Sequence, residues 1–220
     1  MNTIVIAPHP DDELLGAAGT LLRRKEEGSR VAWLIVTRMP ENLGWTSEKI
    51  RSRSNEIKQI SDLFQFDSIF ELGFPTAQLD QVPMSELVSA ISNVFDKFKP
   101  EEVFVPHPSD IHTDHRLVFD AVGSCSKWFR HPTVKRVLAY ETLSETDFNL
   151  GISQTFKPNV FINVEKYLDI KLSATKIYDS EFLDFPFPRS VEALKALATL
   201  RGVASGCRAA EAFELLREIE

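Results

Sequence analysis

Two short segments of this sequence concentrate side chains that bind metals or move protons. The first is Pro8-His9-Pro10-Asp11-Asp12-Glu13, and the second runs from Pro106 to His115 and holds three of the five histidines. Only His131 lies outside both segments, and we read it as a surface residue. Histidine and carboxylate side chains are common ligands of divalent metal ions. The two segments therefore predict a metal site, provided that the fold brings them together.

A catalytic zinc ion takes three protein ligands and keeps one position for a water molecule, whose pKa then falls to about 7. His9, Asp12 and one histidine of the second segment provide such a set; another divalent ion fits the same ligands. Asp11 is placed to accept the proton of that water as general base. A second histidine is placed to bind an oxyanion or to protonate a leaving amine. His112 and His115 are three residues apart at a predicted helix start, so the spacing leaves open which one binds the metal.

The first segment follows an apolar, β-branched run, residues 3–7, and precedes a helical period from Leu14. This order predicts a strand, a loop and a helix. Strands and helices continue to alternate along the chain. Residues 141–158 show no regular pattern. Residues 209–218 have the composition of a helix, with a short strand as the alternative. The further predicted strands are 30–36, 68–72, 102–105, 136–140 and 160–164, and the predicted helices are 14–27, 47–63, 85–98, 114–129, 165–180 and 191–204.

Near-continuous apolar strands alternating with helices are typical of a parallel sheet covered on both faces. We therefore predict a single α/β domain over residues 1–220, with a doubly wound, mostly parallel sheet in three layers and strand order 3-2-1-4-5. Ligands of such sheets bind beyond the carboxyl ends of the strands that flank the switch point, here strands 1 and 4. The loop that follows strand 4, residues 106–113, should then complete the site begun by residues 8–13.

Composition limits the partners. Of the 220 residues 43% are hydrophobic and 26% charged, as in an ordinary globular protein, and the net charge of −7 disfavours nucleic acids and anionic membranes. No apolar run approaches the ~20 residues of a membrane span, and no secretory signal is visible. The two cysteines lie far apart. We expect a cytoplasmic protein with unlinked thiols.

Both motifs resemble the signature motifs of the PIG-L/LmbE-like deacetylases: Pro-His-Pro-Asp-Asp-Glu and His112-Thr113-Asp114-His115. Arg53-Ser54-Asn55-Glu56 is similar to the family's Arg-x-x-Glu, and Ala210-Glu211-Ala212-Phe213 to its Ala-Glu-Ala-Phe segment. The resemblance extends over essentially the whole chain. The family often has a Ser-Gln pair where this chain reads Asp179-Ser180-Glu181. This difference lies in the region that shapes the sugar site, so it bears on the choice of substrate and not on the metal chemistry.

The resemblance implies a Rossmann-like, zinc-dependent enzyme that removes an acetyl group from a small N-acetylglucosamine-type substrate, with assembly into homo-oligomers possible. It also implies a role for individual residues: metal ligands His9, Asp12 and His115, general base Asp11, oxyanion or leaving-group partner His112, and substrate-binding Arg53.

Simpler interpretations stand beside these roles. Asp11 and Asp12 could cap the first helix, where carboxylates complement the helix dipole. Asp114 could be an N-cap or could orient a histidine ligand. Glu13 is read as a structural charge, with support of the metal ligands from behind as the alternative. His107 is read as a residue that packs or hydrogen-bonds within its loop, with metal binding as the alternative. The aromatic residues Trp45, Phe185 and Phe187 either line a sugar or acyl pocket or pack within the protein.

Two other functions remain open. A related amidase would cleave a larger amide of a glucosamine conjugate on the same scaffold. A nucleotide-binding Rossmann-like module without hydrolase activity is the other class, and it is disfavoured because residues 8–13 stand where the glycine-rich phosphate loop would be.

Overall fold

A computed structural model describes residues 1–151 and 155–220. Within these ranges the strands are β1 (Asn2–Ala7), β2 (Arg30–Arg38), β3 (Ser68–Pro75), β4 (Glu102–Pro106), β5 (Arg136–Tyr140), β6 (Val160–Asn163) and β7 (Ala210–Glu218). The α-helices are α1 (Asp12–Glu26), α2 (Ser47–Phe64), α3 (Met84–Phe98), α4 (Thr113–Cys125), α5 (Leu168–Ala174) and α6 (Val191–Ser205). Short 3-10 turns span Glu41–Leu43, Leu79–Gln81 and Glu165–Tyr167.

In the described residues the strands form one sheet with the order β3-β2-β1-β4-β5-β7-β6. Strands β1 to β5 are parallel, in the predicted order 3-2-1-4-5, and β7 is antiparallel to both β5 and β6. The predicted α/β class with a doubly wound, mostly parallel sheet is confirmed. The order places β1 beside β4, so the loops that carry the two motifs leave the sheet side by side.

Helices cover both faces of the sheet, which gives three layers. On β1, Val5 and Ala7 face a core with residues of α1, α2, α5 and α6, whereas Ile4 and Ile6 face a second core with α3 and α4. This alternation follows from the two-residue period of a strand. Because both faces of β1 are buried, its carboxyl end is held rigidly, and so is the loop that follows it.

Several boundaries differ from the sequence-based expectation. The segment 209–218 is not a helix: it is strand β7, because Ala212 and Phe213 are buried between its sheet neighbours. Helix α4 ends at Cys125 rather than at 129, and the predicted helix over 165–180 is regular only in α5. The segment 141–158 includes residues 152–154, which lie outside the described residues. None of the described helices has the length and apolar character that a membrane crossing needs.

Candidate metal centre and catalytic pocket

The loop after β1 closes a tight turn around the carboxylate of Asp12. The backbone N–H of His9 donates to Asp12 Oδ2 at 2.8 Å, and the backbone N–H of Asp12 is 3.3 Å from the carbonyl oxygen of His9. This double closure holds both side chains at the carboxyl end of β1. The side chain of His9 is therefore presented on the same side as the carboxylate of Asp12.

Asp11 has a strained backbone, with φ at 134°. A non-glycine residue in such a region costs on the order of 1–3 kcal/mol and persists only where the surroundings enforce it. Asp11 occupies the N-cap position of α1, but its side chain makes no capping hydrogen bond. Its carboxylate instead accepts from Arg189 Nη1 at 2.8 Å. Helix capping therefore does not account for the Asp11 side chain.

Three of the predicted ligand atoms converge at the carboxyl ends of β1 and β4. Asp12 Oδ2 lies 3.4 Å from His9 Nδ1 and 3.3 Å from His115 Nε2, and the two ring nitrogens are 3.4 Å apart. A tetrahedral ion with ligands at about 2.1 Å separates those ligands by about 3.4 Å. The triangle therefore has the size that a tetrahedral metal ion requires, and its donor types suit zinc.

The ring nitrogens of His9 and His115 that point away from the triangle, here called the outer nitrogens, contact buried carboxylates. His9 Nε2 lies 3.0 Å from Asp114 Oδ2, and His115 Nδ1 lies 2.8 Å from Asp110 Oδ2. Because a carboxylate accepts, each ring carries a proton on this outer nitrogen and turns a lone pair toward the triangle when it is neutral. Carboxylate partners of this kind are typical of metal-binding histidines. The arrangement thus fits a metal ion at the triangle.

His112 lies beside the triangle but has a different hydrogen-bonding pattern from His9 and His115. It is the N-cap of α4, where its Nδ1 accepts from the backbone N–H of Asp114 at 3.1 Å. The proton of the neutral ring is then on Nε2, which makes this nitrogen a donor rather than a ligand. Burial and the nearby rings of His9 and His115 lower the pKa of His112 to about 4, so the ring is neutral near pH 7.

The three imidazoles place one ring nitrogen each within 4.8 Å of one another, so distance alone also permits a three-histidine set. The hydrogen-bonding pattern separates them: His9 and His115 donate outward, whereas His112 accepts from the backbone. This pattern favours a donor role for His112 and ligand roles for His9 and His115, and all three roles stay predictions.

Proton affinities in the cluster show how strongly it favours positive charge. Burial opposes a charged His9, but hydrogen bonds to Asp114 and Asp12 outweigh it and raise the pKa of His9 to about 9. Burial likewise opposes charge on His115, whereas Asp12 and Asp110 raise its pKa well above the usual range. The same rings hold the pKa of Asp12 well below its usual range, against the effect of burial. A divalent cation would replace these protons, so its binding should release them.

Asp11 is close to the triangle without being part of it. Burial and repulsion from Asp12 raise the pKa of Asp11 to about 7, although Arg189 and Arg53 act in the opposite direction. A carboxylate with a pKa near the working pH is suited to take and return a proton. This environment agrees with the expected general base.

Arg53 lies in the wall of the pocket, with its guanidinium engaged by protein groups. Its Nη1 donates to the carbonyl oxygen of Pro10 at 2.9 Å, its Nη2 pairs with Glu181, and its Nε lies 3.2 Å from Glu56. These contacts hold the loop after β1 from the side of α2. The expected contact with substrate stays a prediction.

The cluster opens into a cavity of about 790 Å³. Its walls include residues of the loop after β2, where Trp45 lies, and residues of α2. Neither Phe185 nor Phe187 lines it; Phe185 is 68% exposed. Of the aromatic residues considered from the sequence, only Trp45 is thus a pocket residue.

The structure settles several open alternatives. Asp114 is not the N-cap of α4; its carboxylate accepts from the backbone N–H groups of Ala77 and Leu79 and contacts His9. His107 lies outside the cluster, with Nδ1 at 2.6 Å from Ser109 Oγ. The surface reading of His131 is wrong: it is 5% exposed, and its Nδ1 donates to the carbonyl oxygen of Cys125.

The sequence analysis assigned no role to two charged pocket residues, although one of them, Glu181, lies in the segment noted in the region of the sugar site. Arg189 contacts Asp11, and Glu181 pairs with Arg53 and lies 3.6 Å from Arg189. Both follow α5 in irregular chain, far in sequence from either motif, and no periodicity or spacing marks them. Only the tertiary fold brings them to the first loop.

The fold and the site define an α/β protein with a metal-type His/Asp cluster at a sheet switch point. Residues 4–126 match the family model described as PIG-L, GlcNAc-PI de-N-acetylase. The match covers more than half of the chain, so the protein belongs to the PIG-L family.

Individual proteins of known sequence or structure are also similar to this chain over nearly its whole length. The conserved protein TT1542 from Thermus thermophilus is 30% identical, with a TM-score of 0.77 and coverage of 99% of this chain and 95% of that one. The diacetylchitobiose deacetylase of Thermococcus kodakarensis is 26% identical over 229 residues, which is 98% of this chain and 83% of the relative.

The fold is also shared with a protein of another activity. The 4-carboxy-2-hydroxymuconate hydratase GalB from Pseudomonas putida KT2440 is 16% identical, with a TM-score of 0.74, and the match covers 100% of this chain and 97% of that one. A likeness at this identity concerns the fold alone. The fold alone therefore does not determine the activity.

Proposed function

We propose that this protein is a metal-dependent hydrolase that removes the N-acetyl group from an N-acetylglucosamine-type sugar or glycoconjugate, with residues 1–220 as one deacetylase domain. The observation that carries the proposal is the 3.3–3.4 Å triangle of His9 Nδ1, Asp12 Oδ2 and His115 Nε2 in a pocket that Asp11 also lines. Membership of the PIG-L family and the deacetylase among its relatives support the choice of reaction.

His9, Asp12 and His115 would hold the cation, with Asp114 and Asp110 fixing the two rings from behind. The donor set, two imidazoles and one carboxylate, is that of a catalytic zinc site, and other divalent ions also accept it. When bound, the ion would polarise the acetyl carbonyl and lower the pKa of a water molecule, so that a strong nucleophile would be available near neutral pH.

Asp11 accepts the proton of the attacking water and returns it to the sugar nitrogen as the C–N bond breaks. The products are acetate and the free amine, so the proton that Asp11 takes is consumed by the leaving group. His112 presents Nε2–H to the carbonyl oxygen, which gains negative charge as the tetrahedral centre forms. Both residues thus act on charge that develops during the reaction.

The cavity of about 790 Å³ has room for a sugar and part of an attached group. Cleavage of a larger amide of a glucosamine conjugate would use the same residues and is the first alternative. A nucleotide-binding module without hydrolase activity would leave the Asp11 and His112 geometry without a use.

A panel of N-acetylated sugars tests the proposal. Purified, zinc-loaded protein should release acetate and free amine in equal amounts from at least one member of the panel, such as N-acetylglucosamine or its β-linked disaccharide. Larger N-acylated glucosamine conjugates serve as the comparison for the amidase alternative. Metal-loaded protein that hydrolyses no amide in either group would refute the proposed function.

A further inference from the structure

The segment around Glu13 contains a buried carboxyl group that the reaction itself does not use. Glu13 is 0% exposed and lies in the first turn of α1. Its Oε2 accepts from the backbone N–H of Asp11 at 3.1 Å, and its Oε1 accepts from the hydroxyl of Tyr178 at 3.0 Å. Glu13 thus contacts the proposed base through the base's backbone, and its own position is set by a second residue.

The backbone that Glu13 holds is the strained one. Asp11 precedes the first residue of α1, so its N–H has no helical carbonyl four residues back to donate to, and the residue is only 4% exposed. Without Glu13, this buried N–H would have no partner in the contacts the structure shows for it. A relaxed backbone would satisfy the N–H differently and would turn the Asp11 side chain elsewhere.

A second contact holds the side chain of Asp11. Arg189 Nη1 lies 2.8 Å from Asp11 Oδ2, and Arg189 belongs to the same carboxyl-terminal third of the chain as Tyr178. Tyr178 is 0% exposed, and the guanidinium of Arg53 lies 5.2 Å from its ring centroid. Residues that follow α5 therefore hold both the backbone and the carboxylate of Asp11.

From these contacts we infer that Glu13 is a positioning residue for the reaction: through Tyr178 and the N–H of Asp11, it holds Asp11 in the strained conformation that aims its carboxylate into the pocket. This assignment replaces the reading of Glu13 as a structural charge. Its kinetic consequence rests on the proposed function, whereas its geometric consequence does not.

Three variants separate the role of the acceptor from that of the charge. Glu13→Ala removes the acceptor. Glu13→Gln keeps an acceptor for the Asp11 N–H, and its amide can donate to the Tyr178 oxygen because a phenol both donates and accepts. Tyr178→Phe keeps Glu13 but frees its carboxyl group, and it serves if Glu13→Ala fails to fold.

The first readout is a crystal structure of each metal-free variant. In Glu13→Ala the φ of Asp11 should return to negative values and the contact between Asp11 and Arg189 should break. In Glu13→Gln both should stay as in the wild type. If Asp11 keeps its positive φ and its contact with Arg189 in Glu13→Ala, or in Tyr178→Phe when only that variant folds, the inference is wrong.

The second readout is the kinetics of acetate release. A misplacement of about 1 Å costs about a hundredfold in rate, so kcat should fall about a hundredfold in Glu13→Ala, with KM and zinc content unchanged. Tyr178→Phe should lose less, and Glu13→Gln should restore kcat. Equal losses in Glu13→Gln and Glu13→Ala would overturn the inference. A wild type that hydrolyses no substrate would refute the proposed function instead, and the crystal structures would still decide the role of Glu13.

Discussion

Removing the carboxylate behind His115 should weaken metal binding without touching a metal ligand. Asp110 Oδ2 lies 2.8 Å from His115 Nδ1, and Asp110 Oδ1 accepts from the hydroxyl of Thr146 at 2.6 Å. Asp110 is 0% exposed, so the pair is not screened by water. Loss of such a partner costs 10–100-fold in metal affinity, or about 1.4–2.8 kcal/mol. We expect Asp110→Ala to lie at the upper end of this range.

Asp110→Asn should lie at the lower end, because its amide oxygen still accepts from His115 but without the charge that strengthens the bond. Competition of the purified protein with a chromophoric chelator for zinc measures both affinities. Asp80→Ala is the matched control, since Asp80 is an exposed carboxylate that bonds only its neighbour Gln81 among the contacts shown. Wild-type zinc affinity in a folded Asp110→Ala would refute the assignment of His115 as a ligand.

Three further predictions concern the base and the core. Asp11→Asn should keep its zinc and lose about 10²–10⁴-fold in kcat, measured by acetate release, because the amide cannot accept the proton; retained turnover would contradict the role of Asp11. The pKa of Asp11 is raised to about 7 and the base acts only when ionised, so kcat should be full above that pH and fall as the pH drops through it. Arg189→Ala removes a charge that lowers this pKa and should therefore move the fall in kcat to higher pH. An unshifted pH profile of kcat would argue against the contact between Arg189 and Asp11. Gly16→Ala should destabilise the fold by about 1–3 kcal/mol in urea unfolding, because the added Cβ would lie 2.2 Å from Tyr140 Cδ2, and an unchanged midpoint would contradict this packing.

The part of the site that lies on the two motif loops could be predicted from the sequence. The alternation of strands and helices fixes which loops share an edge of the sheet, and His9 and His115 follow β1 and β4 as that rule requires. The family resemblance then chose between His112 and His115, a choice that spacing alone left open. The hydrogen bond that His112 accepts from the backbone gives a physical reason for the same choice.

The contributions of the carboxyl-terminal third could not be predicted in the same way. Arg189 and Tyr178 reach Asp11 and Glu13 across more than 160 positions of sequence. Arg189 lies between two predicted helices, and Tyr178 lies near the end of the helix predicted over 165–180, where the pattern indicates no contact with the first loop. The strained backbone of Asp11 has no sequence signal either, since aspartate at a helix start is usually a cap. The composition of 209–218 suits a helix, with a short strand as the alternative, and only the pairing of β7 with β5 and β6 decides for the strand.

The most direct test compares the metal content and the turnover of His112→Ala and His115→Ala. Both proteins are purified without chelator, reloaded with zinc, and measured by elemental analysis and by acetate release. The geometry predicts that His112→Ala retains about one zinc ion per chain, as three ligands remain, and loses turnover. His115→Ala should lose both. Loss of stoichiometric zinc in a folded His112→Ala, or its retention in His115→Ala, would contradict the metal site of His9, Asp12 and His115.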